Sequence, residues 1–161
     1  MSQPFYHLRP NKYVDRCLFV NVLERLNSQV KLQKHRYIGF GSYLFDDFKL
    51  LHDRLNIGTM ISLESDSTIF KRAKFNAPYK CISVINQTST DYISGDNWGE
   101  QNSIIWLDYV TPRALGQQFS DIATLSNTIL PHDILKVTFN ATFQQMLHQM
   151  TAIRINTPSC F

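Results

Sequence analysis

Tyr37-Ile38-Gly39-Phe40-Gly41-Ser42-Tyr43-Leu44-Phe45 is the stretch on which the reading of this chain turns. A short apolar run ends in two glycines. Phe45, Phe48, Leu51 and Leu55 then recur on one face of a helix, with Leu50 flanking that face and Asp46, Asp47, Lys49, His52, Asp53 and Arg54 forming the polar remainder. The pattern predicts a strand, a tight turn and a helix. Glycine in such a turn lets a backbone come close to a ligand, and the helix behind it offers unpaired N–H groups. Two glycines serve tight packing equally well.

The same alternation continues downstream. Asn56-Ile57-Gly58 breaks the helix, and residues 59–63 read as a second strand ending at Glu64. Residues 66–76 read as a helix with Ser65 or Asp66 as N-cap, stopped before Pro78. Cys81 to Ile85 is a third strand, followed by a polar stretch from Asn86 to Asn102. Ser103 to Leu107 is a fourth strand ending at Asp108, residues 113–127 a helix, Asp133 to Phe139 a fifth strand, and residues 141–151 a last helix. Upstream, residues 11–28 form an N-terminal helix whose apolar face is Val14, Cys17, Leu18, Val22 and Leu26. Residues 29–36 read as a polar, basic loop. Strands alternating with helices, and strands apolar along their length, predict an α/β fold with a doubly wound, mostly parallel, Rossmann-like sheet of about five strands and an extra N-terminal helix.

The composition fits one domain over residues 1–161, with the core array at 36–139. The chain is 43% hydrophobic and 18% charged, an ordinary globular balance. A net charge of +3 is too small to imply nucleic-acid binding by itself. Cys17, Cys81 and Cys160 are far apart and form no CxxC, which argues against a disulfide framework and for small core residues in a reducing cytoplasm. No run approaches the ~20 apolar residues of a membrane span, and the first residues lack a signal-peptide pattern. A cytoplasmic protein with no membrane partner is the expectation. No histidine has metal-ligand spacing with another histidine or cysteine, so no metal site is expected.

In an open parallel sheet, ligands bind at the carboxyl ends of the strands. Those ends carry Gly39, Phe40, Gly41 and Ser42 after the first strand, Glu64 after the second, Asp91 beyond the third, and Asp108 and Tyr109 after the fourth. Glu64 is placed to accept from ribose hydroxyls, or else to cap the next helix. Asp91 could meet an adenine amino group, or be a loop acid. A carboxylate directly after four apolar residues, as at Asp108, has few structural reasons to be there.

These residues resemble the class I S-adenosylmethionine-dependent methyltransferases over roughly residues 36–139. Gly39-Phe40-Gly41 resembles the glycine-rich first motif, and Ile61-Ser62-Leu63-Glu64 the second, with its acid on the ribose. Phe70 to Asn76 resembles the helix that follows, Asp91 stands where the adenine-contacting acid is expected, and Leu107-Asp108-Tyr109 resembles the motif beside the transferred methyl. The chain departs from the family at Tyr37, where an acid is usual, and no Pro-Pro-Tyr follows Asp108. The family's sheet ordinarily gains two more strands, for which Ala152 to Ile155 offers one. The resemblance implies S-adenosylmethionine as small-molecule cofactor, bound by Gly39, Phe40, Gly41, Ser42, Glu64 and Asp91. Asp108 and Tyr109 would orient or deprotonate a nucleophile, on a nucleic-acid or protein substrate. The alternative is an inactive methyltransferase-like module kept for assembly, as a homo-oligomer or with a partner that completes the sheet. A nicotinamide-dependent oxidoreductase fits less well, because Leu44 stands where GxGxxG needs its third glycine.

Three other signals complete the reading. In Tyr6 to Lys12, Arg9 and Lys12 could meet a phosphate or carboxylate near the crevice, but a solvated arm with Tyr6 packed on the domain is preferred. Lys31, Lys34, His35 and Arg36 read as a water-facing charge run. Joined to Arg9, Lys12 and Arg16 on one face, they would track a nucleic-acid backbone. Trp98, between Gly95 and Gly99, is either an aromatic over the crevice or a lid packed on the sheet.

Overall fold

Five parallel strands in the order β3-β2-β1-β4-β5 form one sheet in the computed structural model, which describes residues 10–95, 98–110 and 114–139. In chain order the elements are α1 (Pro10–Asn27), β1 (Arg36–Gly39), α2 (Asp46–Leu55), β2 (Met60–Leu63), α3 (Ser67–Asn76), β3 (Ile82–Ile85), α4 (Ser89–Ser94), β4 (Ser103–Tyr109), α5 (Leu115–Ser126) and β5 (Ile134–Phe139). The helix expected at 141–151, the short strand at 152–155, Tyr6, Arg9 and Cys160 lie outside the described residues.

The strand order reverses direction at β1, which pairs β2 on one side (Ile38 with Ile61) and β4 on the other (Ile38 with Ile105). That reversal is the switch point at which such sheets open a crevice. Two cores flank the sheet. Tyr37, Met60, Ile104 and Trp106 join Val20, Leu23, Phe48, Leu51 and Ala73 of α1, α2 and α3 on one face. Ile38, Leu63, Ile105 and Leu107 join Tyr92, Ile93 and Leu125 of α4 and α5 on the other. Alternate residues of each strand go to opposite cores, which is why the strands are mostly apolar along their length.

Asp66 is the N-cap of α3, its Oδ1 accepting from the amides of Thr68 (2.7 Å) and Ile69 (2.9 Å). Three expectations are corrected. The polar stretch after β3 holds the one-and-a-half-turn α4, opened by Thr88, whose hydroxyl accepts from the Asp91 amide at 3.1 Å. The segment before β1 faces water only in part: Lys31 and Lys34 are exposed, but Leu32 is fully buried, His35 and Arg36 are buried, and Arg36 starts β1. Its Nε donates to Ser103 Oγ (2.8 Å) and its Nη2 to the Trp98 carbonyl (2.7 Å).

The third correction concerns the rotation of α1. Val14, Leu18 and Val22, expected to be buried, are more than half exposed, and Cys17 is half-buried. Phe19, Val20 and Leu23 face the sheet instead. α1 is apolar on both sides, so hydrophobicity alone does not choose. The charges choose: Lys12, Asp15 and Arg16 find partners in Asp108, Lys136 and Asp46 when the helix is turned this way. The second half-buried cysteine, Cys81, precedes β3 rather than lying in it.

Candidate functional site

The carboxyl ends of β1, β2 and β4 open on a crevice of about 780 Å³. Phe40, Gly41 and Ser42 form its wall after β1, and Glu64 stands at the end of β2. Asp108 and Tyr109 enter from β4, with Ser89 and Thr90 of α4 beside them. Gly39 and Asp91 are not among the lining residues.

Both glycines answer to space within the protein. A Cβ on Gly39 would stand 2.6 Å from the Tyr37 hydroxyl, and one on Gly41 2.6 Å from Ser62 Oγ and 2.8 Å from the Phe45 ring. The Gly41 amide is not free, since it donates to Ser62 Oγ at 3.1 Å. Nor does α2 start at the glycines. Ser42 (φ 52°) and Phe45 (φ 54°) take left-handed conformations, and the helix begins only at Asp46. A buried phenylalanine in that region is unusual and is held by its packing against Phe48 at 5.4 Å between ring centres. The loop is thus fixed by the protein's own packing before any ligand arrives.

Glu64 combines both readings given to it. Its Oε1 accepts from the Asp66 amide at 3.1 Å, at the approach to α3, and the same carboxylate lines the crevice. Partial burial raises its pKa. Asp91 is exposed and closes a reciprocal cap on α4, its Oδ2 accepting from Thr88 Oγ1 at 2.7 Å.

Asp108 and Tyr109 are successive strand residues and so point to opposite faces. The Tyr109 hydroxyl donates to Asp121 Oδ2 at 2.9 Å, and burial raises its pKa. Asp121 of α5 is buried and also accepts from Ser89 Oγ (3.0 Å), Thr90 Oγ1 (2.9 Å) and Gln117 Nε2 (3.1 Å). It ties α4, α5 and β4 together in the wall of the crevice, and sequence reading gave no sign of it. Asp108 faces α1, where both its oxygens accept from Lys12 Nζ, Oδ2 at 2.6 Å. Lys12 is therefore not a solvated residue, its ammonium being paired with the protein's own Asp108.

Lys136 of β5 joins this group. Its ammonium lies 3.6 Å from the centre of the Trp106 ring and 2.8 Å from Asp15 Oδ2. Burial lowers its pKa, as does the Lys12 charge, while Asp15 and Asp108 act the other way. A lysine in the middle of the mostly apolar strand Ile134–Phe139 was the available signal. Across the crevice, Asp47 in the first turn of α2 is buried, accepts from the Tyr37 hydroxyl, and has its pKa raised by burial to about 6.

The remaining candidates lie elsewhere. Trp98 donates from Nε1 to the Ile93 carbonyl (3.0 Å) and carries the Arg36 guanidinium over its ring at 5.6 Å. Arg36 begins β1, so this pair sits at the amino end of the sheet, opposite the crevice, and Trp98 is not an aromatic over the crevice but is packed on the sheet, against Tyr92. The same geometry separates Arg36 and His35 from Lys12 and Arg16, so they form no common basic face. Among the described residues, no group of three or more His, Cys, Asp or Glu side chains could hold a metal ion, and no helix is long and apolar enough to cross a membrane.

A five-stranded parallel sheet wound on both faces, with its crevice at the β1 switch point, is the fold of the class I methyltransferases. A family model described as "putative O-methyltransferase" matches residues 4–158, and the chain belongs to that family. Solved structures agree at the level of fold. A "putative methylase" of Haemophilus influenzae has 21% identity and a TM-score of 0.57, over 76% of this chain and 78% of that one. A "putative O-methyltransferase" of Klebsiella pneumoniae has 12% identity and a TM-score of 0.57, over 96% and 72%. A "putative methyltransferase" of Escherichia coli has 14% identity and a TM-score of 0.54, over 73% and 66%. No curated protein matches the chain significantly. The protein is methyltransferase-like, with an acceptor that neither fold nor family names.

Proposed function

We propose that this protein is an S-adenosylmethionine-dependent O-methyltransferase whose acceptor hydroxyl is presented beside Asp108. The observation that carries the proposal is Asp108 at the carboxyl end of β4, paired with Lys12 and lining a crevice of cofactor size. Crevice residues fit the cofactor's parts: Glu64 suits ribose hydroxyls, and Phe40 with the Gly41-Ser42 turn suits the nucleoside. When bound, the cofactor supplies a methyl group made electrophilic by its sulfonium.

A neutral hydroxyl is a poor nucleophile and needs its proton removed as attack proceeds. Asp108, which lines the crevice, is the group to take that proton. Lys12 holds a positive charge where the acceptor oxygen becomes negative, and Asp108 orients both lysine and acceptor. Rate then comes mainly from alignment of the oxygen with the methyl group. Tyr109 supports the site through Asp121, and Asp91 contributes by capping α4.

Calorimetric titration with S-adenosylmethionine and S-adenosylhomocysteine tests the cofactor assignment. Both are expected to bind, and Glu64→Ala to weaken both about tenfold, the worth of a hydrogen bond to a charged group. Absence of binding at roughly millimolar ligand, where even weak affinities register, would overturn the proposal.

A further inference from the structure

The chain's net charge of +3 is small, but it is not evenly spread. Residues 67–90 carry Lys71, Arg72, Lys74 and Lys80 and no aspartate or glutamate, so the rest of the chain is close to balance. All four cations are exposed, and none pairs with a carboxylate among the described residues. Beside them Phe75 of α3 is 91% exposed and belongs to neither core. We propose that the outward face of α3 is a docking surface for single-stranded nucleic acid, with Phe75 as a platform for a base and the flanking cations on the phosphates.

The helical period puts Thr68, Lys71, Arg72 and Phe75 on one side of α3, at i, i+3, i+4 and i+7, away from the buried Ala73. The Arg72 guanidinium lies 4.8 Å from the centre of the Tyr43 ring. Stacking orients the fork without neutralising it, so its N–H groups stay available to a phosphate. Lys74 stands over the Phe70 ring at 5.9 Å, its charge likewise uncompensated. Carboxylates on adjoining segments are engaged elsewhere: Glu64 and Asp66 accept from amides at the start of α3, and Asp53 accepts from the Tyr79 hydroxyl. Tyr43 and Ile69 both line the main crevice, and Phe75 lies about 9 Å along α3 from Ile69, so this face adjoins the crevice mouth.

A single exposed apolar side chain carries no meaning alone. Its setting does: a base of any identity can stack on an exposed ring while adjacent cations follow the backbone. A membrane-binding helix needs a continuous apolar face. α3 instead turns Ile69, Phe70 and Ala73 inward and leaves Phe75 among polar neighbours. A duplex fits less well, since its bases are already stacked on one another. Single strands of RNA and DNA share the required chemistry, and nothing in this face depends on the cofactor assigned above.

Fluorescence anisotropy with labelled oligo(U) and oligo(dT) of about twelve nucleotides, within the span of one single-strand site, tests the proposal. Wild type is expected to bind at least one of them. Its log affinity should fall against log salt with a slope of about −2 to −3, as three or four phosphate contacts require. Lys71→Gln and Lys74→Gln should each weaken binding and flatten that slope by about 0.7. Phe75→Ala should weaken binding about tenfold at unchanged slope, and Phe75→Tyr, which keeps a ring, should stay within about twofold of wild type. Because Phe75 is so exposed, both variants should keep the wild-type melting temperature. A duplex of mixed sequence should bind more weakly than either of its single strands. No binding of either oligonucleotide at about 20 mM salt, where phosphate contacts are strongest, overturns the proposal. So does a Phe75→Ala variant that binds like wild type, or a duplex held as tightly as a single strand. Binding to vesicles of phosphatidylserine and phosphatidylcholine, with none to the oligonucleotides, overturns it in favour of a membrane surface.

Discussion

Lys136 and Asp47 are opposite cases of one effect: burial pushes each toward its neutral form. For Lys136 that leaves a base closer to neutrality, and its neighbours set the direction of further change. Asp15 raises its pKa, so Asp15→Asn should lower it further, whereas Lys12→Gln, which removes a repelling charge, should raise it. Titration of the lysine side chain by carbon NMR reads both shifts, and movement in the same direction would exclude this electrostatic arrangement. For Asp47 the consequence is in stability. Its folded pKa, about 6, lies above the ordinary aspartate value of 3.8. The folded state therefore holds a proton that the unfolded chain has released, and stability falls as pH rises from about 4 to about 6. Asp47→Asn should remove that decline and gain on the order of 2 kcal/mol at pH 7 relative to its effect at pH 4. Denaturant melts at the two pH values check this, and an equal effect at both would show that Asp47 carries no such penalty.

Among the elements, α1 sets one wall of the site by a rotation that ion pairs select. Leu18→Ser and Val22→Ser, on its exposed side, should change stability by no more than about 0.5 kcal/mol, whereas Leu23→Ala should cost roughly 2–5 kcal/mol. Comparable losses from the two groups in chemical denaturation would mean that α1 is turned the other way. α4 and α5 depend on Asp121 instead. Asp121→Ala strands the hydroxyls of Ser89, Thr90 and Tyr109 and should cost about 2–3 kcal/mol, against about 1 kcal/mol for Asp91→Ala, which loosens one helix cap. Thermal melts of the two variants rank them directly.

At the scale of the whole molecule, the sheet has a working end and a structural end. Arg36 and Trp98 close the amino end with hydrogen bonds and a cation–ring contact, while the glycine turn, Glu64 and Asp108 occupy the carboxyl end. Arg36→Met should therefore lower the melting temperature yet leave cofactor affinity unchanged, and a parallel loss of affinity in calorimetry would contradict the separation. Wild type at 100 times the dissociation constant should gain about 2.7 kcal/mol from bound cofactor, and Arg36→Met the same increment.

Period and punctuation determined a good deal of this protein by themselves. Five strands, the alternating helices and the Asp66 cap are local patterns, because strand and helix periods and capping depend on near neighbours. So is the arrival of Gly41, Glu64 and Asp108 at strand ends, since in a parallel sheet chain order fixes which end is which. What the tertiary structure decided was pairing between distant residues. The face that α1 buries depends on Asp108 and Lys136, some hundred residues away. At 39 and 41 Tyr37, Phe45 and Ser62 leave no room for a Cβ, and no special φ is involved. Asp47 and Asp121 read as ordinary helix acids until neighbouring elements bury them. Charged residues look solvent-facing in a sequence because their cost of burial is local, while the partners that offset it are not.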